Sequence, residues 1–335
     1  MSGLPKVAFI PYGGTIASVV KPGVGATPTL DVGEMAKGLP GVGEIATVVP
    51  RTSRHLASSQ MTVPDLLDIA RAAREAIADG CSGVVVSQGT DTIEEIAFGL
   101  DLLCGGDEPI VVTGAMRNAS LPSADGPANV IAAIRVVASR AARGIGTVVV
   151  LNEEVHAARF VRKSHTANPS TFRSAATGPL GWVAEHDVRI AVRPSRRFHV
   201  ELPDDAVPPP VCLLKMSLGD DGRLLPLLRG AGFAGCVIEG FGGGHVTAEV
   251  AAPGLLEALM GSMPVVLASR AGSGEVLRST YGGFAGSETD LIGRGVIYAG
   301  SLDGPKARLL LTLLLARGAG RDEIRAAFSE IGPLC

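Results

Sequence analysis

Four stretches, KVAFI (6–10), GVVVS (83–87), PIVVTG (109–114) and GTVVVL (146–151), are apolar at almost every position. A strand with one wet face alternates apolar and polar residues, so these continuous runs read as strands buried on both faces. The segments between them have to supply the covering layers. TVPDLLDIARAAREAIADG (62–80) opens with Thr62 and Asp65 at capping-box spacing and keeps a helical period. DGPANVIAAIRVVASRAARG (125–144) has Pro127 just inside a helix start and Gly144 just past its end. Strand and helix in alternation predict a parallel, doubly wound sheet.

The pattern breaks at RPSRRFHVELPDDAVPPPV (193–211), which is charged, proline-rich and without a period, and reads as a linker. Alternation then resumes with VCLLK (211–215), GCVIEGF (235–241) and PVVLAS (264–269), and with helices near 253–261, 304–317 and 321–331. We expect two α/β domains, at 1–190 and 211–335, joined by a linker over 191–210; 335 residues suffice for both. With only 4% aromatic residues, their cores are built from Ala, Val, Leu and Ile.

A formal charge of −3, with no basic run interleaved with aromatics, argues against nucleic acid as a partner. The opening MSGLPKVAFI enters a strand pattern without an apolar leader region. LLLTLLLA (309–316), between Arg308 and Arg317, is half a membrane span and reads as a core helix. The five cysteines (81, 104, 212, 236 and 335) show no CxxC spacing. Together these features predict reduced thiols in a cytoplasmic protein with no membrane partner.

Ligands of open parallel sheets sit beyond the carboxyl ends of the strands. That rule selects Gly13-Gly14-Thr15, Ser87-Gln88-Gly89-Thr90-Asp91 and Gly114-Ala115-Met116-Arg117. In SQGTDTIEE, Thr92 and Glu95 repeat the capping-box spacing, which puts Thr90 and Asp91 at the mouth of a helix. Free N–H groups there suit an oxyanion in acyl transfer; the blander alternative is that both residues simply cap the helix. None of the six histidines falls in HxxH, HxxxH or HExxH spacing, so metal ligation is not expected. GxSxG and GxxxxGK[ST] motifs are absent, and GFGGGH (240–245) does not complete GxGxxG. Lysine is the remaining base, and Lys163 lies in a polar loop after the fourth strand. Starting near pKa ~10.4 and held charged by a neighbouring aspartate, it suits a Lys–Asp–Thr proton relay better than a lone base; read alone, it is an ordinary surface lysine.

Six segments in order resemble the bacterial-type L-asparaginase family of threonine amidohydrolases. They are YGGTIAS (12–18), SSQMT (58–62), QGTDTIEE (88–95), VVTGAMRNASLPSADGPANV (111–130), VRKSHTANPSTFRS (161–174) with GPLGWV (178–183), and AGSLDGPKARLLL (299–311). The resemblance implies a larger N-terminal domain with a mostly parallel sheet flanked by helices and a smaller flavodoxin-like C-terminal domain. It further implies hydrolysis of the L-asparagine side-chain amide to aspartate and ammonia through an acyl-enzyme, with no cofactor. By that resemblance Thr15 is the nucleophile, and Thr90, Asp91 and Lys163 form a second triad. Asp91 and Ser59, with Gln60 beside them, hold the substrate's charged ends. The N–H groups of Thr15 and Thr90 serve the oxyanion, and the carbonyl of Ala115 accepts from the amide nitrogen. A homotetramer of intimate dimers is implied as well.

The chain also departs from the family. The loop VVKPGVGATPTLDVGEM (19–35) has no tyrosine where many members carry one, and EGFGGGHV presents Gly243 and His245 where an asparagine is expected. Tyr281 or Thr27 is our expected substitute for the loop hydroxyl. Glu275 and Glu288 are the candidates for an acidic residue given by a neighbouring subunit. Because these departures fall where substrate is selected, glutamine, D-asparagine and other small ω-amides stay open as substrates, as does an idle ligand-binding homologue. The tRNA-dependent amidotransferase branch of the superfamily is disfavoured, since the sequence starts at the first catalytic strand.

Overall fold

A computed structural model describes residues 3–14, 41–51, 54–195 and 197–332, residue 39, and the backbone at 18–21 and 25–28. Two compact units divide the chain, Met1–His199 and Val200–Cys335. The strands of the first are β1 (Lys6–Tyr12), β2 (Ser18–Lys21), β3 (Gly25–Pro28), β4 (Thr47–Pro50), β5 (Gly83–Gln88) and β6 (Ile110–Thr113). They continue with β7 (Thr147–Leu151), β8 (Glu154–Ala157), β9 (Arg162–Lys163), β10 (Phe172–Arg173), β11 (Gly181–Ala184) and β12 (Asp187–Ile190). Its helices are α1 (Val42–Ile45), α2 (Val63–Ala78), α3 (Ile93–Leu103) and α4 (Gly126–Ala138).

Eight strands form the main sheet in the order β4-β1-β5-β6-β7-β8-β11-β12. The first five are mutually parallel, and β8, β11 and β12 add an antiparallel edge. The apolar runs do what their lack of alternation predicts. Val85, Val111 and Val148 face a cluster with Val130, Ala133, Ile134 and Val137 of α4. Their sequence neighbours Val84, Val86, Val112 and Val149, on the opposite face, are equally inaccessible. Each buried valine contributes on the order of 1.5–3 kcal/mol, so both layers are needed to hold the strands.

The capping box at α2 forms as expected, with Thr62 and Asp65 satisfying each other's backbone N–H groups. The helix expected to reach Gly144 stops earlier. Ser139 turns extended and its hydroxyl accepts from Ala141 N at 3.2 Å, capping a separate 3-10 turn at 140–142.

Residues 191–210 carry no helix or strand among the described residues. The second unit has β13 (Val211–Lys215), β14 (Gly235–Gly240), β15 (Val265–Ser269) and β16 (Ile297–Tyr298) as a parallel sheet in sequential order. Around it lie α5 (Leu227–Gly230), α6 (Leu255–Ser262), α7 (Glu288–Gly293), α8 (Gly304–Ala316) and α9 (Arg321–Ile331). The leucine-rich stretch sits in α8, where Leu310, Leu311, Leu313 and Leu314 are fully buried. Among the described residues no helix is long and apolar enough to cross a membrane. Cys81, Cys104, Cys212 and Cys236 are free thiols; Cys335 lies outside the described residues.

Candidate active site

In the main sheet, β1 has β4 on one side and β5 on the other, so strand order reverses there. A reversal of this kind opens a crevice beyond the strands' carboxyl ends. β1 runs out into Gly13-Gly14 and β5 into Gly89, followed by a 3-10 turn at Thr90–Thr92 that leads into α3. Gly14 has φ +85°, and a Cβ on it would lie 2.1 Å from Gly89 N. Only glycine permits both the left-handed backbone and this contact. Gly89 in turn abuts Ser58, whose Oγ would sit 2.7 Å from an added Cβ. Three chain segments therefore meet at the switch point, two through backbone and the third through the Ser58 side chain. Thr15 comes next in sequence after Gly14 but lies outside the described residues.

Thr90, Asp91 and Lys163 come together as expected. Lys163 Nζ donates to Thr90 Oγ1 at 2.8 Å and to Asp91 Oδ1 at 2.7 Å. Thr90 is buried, Lys163 is mostly covered, and the Asp91 side chain is 62% exposed, so the carboxylate reaches solvent. The hydrogen bond from Lys163 leads the causes that hold the Asp91 carboxyl below its usual range, and Ser58 adds to the effect. Ser58 donates to Asp91 Oδ2 at 3.1 Å and accepts from Asp91 N at 3.3 Å. The resemblance had pointed to Ser59 and passed over this residue. Its signal is the doubled serine of SSQMT. Ser59 and Gln60 are exposed on the same 3-10 turn, Ser58–Gln60.

The second expected capping box is absent. Thr92 is the N-cap of α3 by position, yet its side chain caps no helix N–H. Instead Thr92 Oγ1 accepts from Gln88 Nε2 and donates to Ser58 O, both at 3.2 Å. The hydroxyl is used to tie β5 to the Ser58 turn, so Thr92 serves the site and not the helix end.

Ala115 is buried just beyond β6. Its loop is held by two residues not singled out in the sequence. Asn129 Nδ2 donates to Gly114 O at 2.9 Å, and Asp125 accepts from Met116 N and Arg117 N at 3.0 and 2.8 Å. Both lie at the start of α4, within SADGPANV.

Of the loop candidates, Thr27 has only its backbone described, paired opposite Val19 in the β2–β3 hairpin. Tyr281, Glu275 and Glu288 belong to the second unit. Tyr281 is about half exposed and its ring meets His245 edge-on at 5.1 Å. Glu275 is partly buried. Glu288 is fully buried and accepts from Thr280 N at 2.9 Å and from Tyr281 N, while His245 Nε2 lies 2.9 Å away. Burial pushes its carboxyl up, but the N–H groups of Tyr281 and of Glu288 itself, with His245, outweigh that and leave it below the ordinary range. Both carboxylate oxygens are thus engaged within the second unit. Among the described residues no group of three His, Cys, Asp or Glu side chains is placed to hold a metal ion.

Residues 6–196 match the family described as "Asparaginase, N-terminal", and residues 210–328 match "Glutaminase/Asparaginase C-terminal domain". The chain belongs to the asparaginase family. It is an L-asparaginase-like amidohydrolase. A probable L-asparaginase of Deinococcus radiodurans is 35% identical over 345 residues, covering 98% of both chains. A glutamyl-tRNA(Gln) amidotransferase component of Methanosarcina mazei is 31% identical over 98% of this chain and 78% of its own. Among solved structures, a probable cytoplasmic L-asparaginase from Campylobacter jejuni superposes with a TM-score of 0.86 at 29% identity, covering 97% of this chain and 99% of its own. These asparaginase matches span both units.

Proposed function

We propose that the chain hydrolyses the side-chain amide of L-asparagine to L-aspartate and ammonia through an ester on a threonine hydroxyl. The observation that carries the reading is the Thr90–Lys163–Asp91 constellation, bonded at 2.8 and 2.7 Å, at the strand-order reversal of a parallel sheet. In this reading the hydroxyl of Thr15 attacks the amide carbon, the C–N bond breaks, and the hydroxyl proton leaves with ammonia. Water then attacks the ester through the Thr90–Lys163 pair, which restores the threonine and releases aspartate. The ionised Asp91 meets the substrate's α-ammonium, Ser59 and Gln60 lie at the crevice edge for the α-carboxylate, and the Ala115 loop faces the amide nitrogen. N–H groups of Thr15 and Thr90 receive the oxyanion.

The absence of a loop tyrosine between 19 and 35 and the Gly243/His245 departure favour a second reading with unchanged chemistry on glutamine, D-asparagine or another small ω-amide. In either reading Tyr281 or Thr27 stands in for the loop hydroxyl and Glu275 or Glu288 is given by a neighbouring subunit of a homotetramer, and we place the enzyme in the cytoplasm, as for the Campylobacter neighbour. Ammonia release measured across L-Asn, D-Asn, L-Gln and simple ω-amides, beside Thr15→Ala, tests the proposal. L-Asn should give the highest kcat/KM, and Thr15→Ala should abolish turnover. Silence on every amide overturns the activity, and full activity of the variant overturns the nucleophile.

A further inference from the structure

Lys163 has a structural problem that the relay alone does not solve. It sits in β9, which among the described residues pairs only with β10 as a separate two-stranded sheet and has no ladder to the main sheet. Thr90 and Asp91, by contrast, follow a central strand. A lysine has four rotatable side-chain bonds, and an error of 1 Å in a proton-transfer contact lowers rate by on the order of 10²-fold. Something must register the hairpin against β5 and α3.

We infer that Glu94 is the positioning residue that sets the Lys163 relay. Its Oε2 accepts from the backbone N–H of Lys163 at 2.6 Å. Charged acceptors give the shorter and stronger hydrogen bonds, and a carboxylate in the first turn of α3 is also favoured by the helix dipole. Lys163 is thereby tied at both ends to the same short stretch: its N–H to Glu94, and its Nζ to Thr90 and Asp91. The closed loop fixes the start of the side chain relative to its target and leaves few rotamers that reach both acceptors.

The far side of the hairpin is braced independently. Phe172, opposite Lys163 in the pairing, is buried. Ser174, just beyond β10, lies 3.1 Å through Oγ from Nδ1 of the buried His156 in β8. Ser164 Oγ donates to Thr171 O at 2.7 Å across the hairpin. These bonds keep the hairpin folded and attached when Glu94 is changed, so its loss should move Lys163 without unfolding the unit.

The inference rests on the proposed role of Lys163, and the experiment separates the two. Full-length Glu94→Ala, Glu94→Gln and Lys163→Met are compared with the wild type by steady-state ammonia release, thermal unfolding and amide hydrogen exchange of the peptide around Lys163. Glu94→Ala should lower kcat by roughly 10- to 100-fold. Its KM should stay within about threefold, and exchange at Lys163 should quicken, with little change in Tm. Glu94→Gln retains an oxygen acceptor and should restore kcat to within about threefold of wild type. Wild-type kcat in Glu94→Ala, or Glu94→Gln as slow as Glu94→Ala, overturns the positioning role while leaving the relay intact. Undiminished turnover in Lys163→Met overturns the relay itself, and the positioning role with it.

Discussion

Gly14→Ala tests the claim that the site depends on direct backbone contact between the ends of β1 and β5. The new Cβ meets two separate penalties. Gly14 sits at φ +85°, where an L side chain costs about 1–2 kcal/mol. The Cβ would also lie 2.1 Å from Gly89 N and 2.5 Å from Gln88 C, where 3.4 Å begins ordinary contact. The strand ends must therefore separate by about 1.3 Å, and such overpacking costs roughly 1–3 kcal/mol more. Gly80 supplies the control, since it has the same φ of +85° but nothing within 4 Å of an added Cβ. Gly80→Ala should cost the dihedral penalty alone, at about 2–4 °C of Tm per kcal/mol for a unit of this size. Gly14→Ala should lose about 2–5 kcal/mol in all. Its kcat should also fall by at least ~10², because Thr90 and the chain after Gly14 shift by more than a catalytic contact tolerates. Thermal unfolding and ammonia release on both variants decide the matter. If Gly14→Ala melts within about a degree of Gly80→Ala and turns over like wild type, the strand-end contact does not build the site.

Two further outcomes concern pH. Because Lys163 and Ser58 hold Asp91 ionised below the usual carboxylate range, the acid limb of kcat/KM should fall below that range, and Ser58→Ala should move it upward; an unmoved limb in pH-jump assays removes Asp91 from the mechanism. Buried His156 is pushed below its ordinary range by desolvation, which outweighs the opposing pull of Glu154. Its neutral form is favoured in the fold, so its contribution to stability is full above about pH 6.5 and is lost as pH falls from there through the lowered folded-state value. His156→Gln should flatten the pH dependence of Tm over that window, and an identical slope in the variant sinks the assignment.

Much of this protein is legible in one dimension because the relevant physics is local. Continuous valine runs such as GVVVS and TVVVL have no wet face to offer, so a parallel sheet covered on both sides follows directly. The Thr62–Asp65 cap also needs only neighbours in sequence. The position of the candidate site likewise follows from the rule that strand ends carry ligands, together with glycine before threonine in two of the three segments. Where a side chain had a choice of partners, sequence spacing was not enough. Thr92 and Glu95 have the same spacing as Thr62 and Asp65. Yet the Thr92 hydroxyl found Gln88 and the Ser58 carbonyl within reach, and a turn more than thirty residues away took it from the helix. Ser58 itself was hidden behind Ser59, because which of two adjacent serines faces Asp91 depends on how the 3-10 turn is rotated in the crevice. Ser139 ended a helix that composition alone would have continued. The meeting of Lys163 with Thr90 and Asp91 was expected from resemblance, but the means of holding it there was not. A hairpin outside the main sheet has its register set by single contacts, and the bond from Lys163 N–H to Glu94 joins residues 69 positions apart. Such contacts exist only once the chain has folded, since they depend on distance in space and leave no period along the sequence.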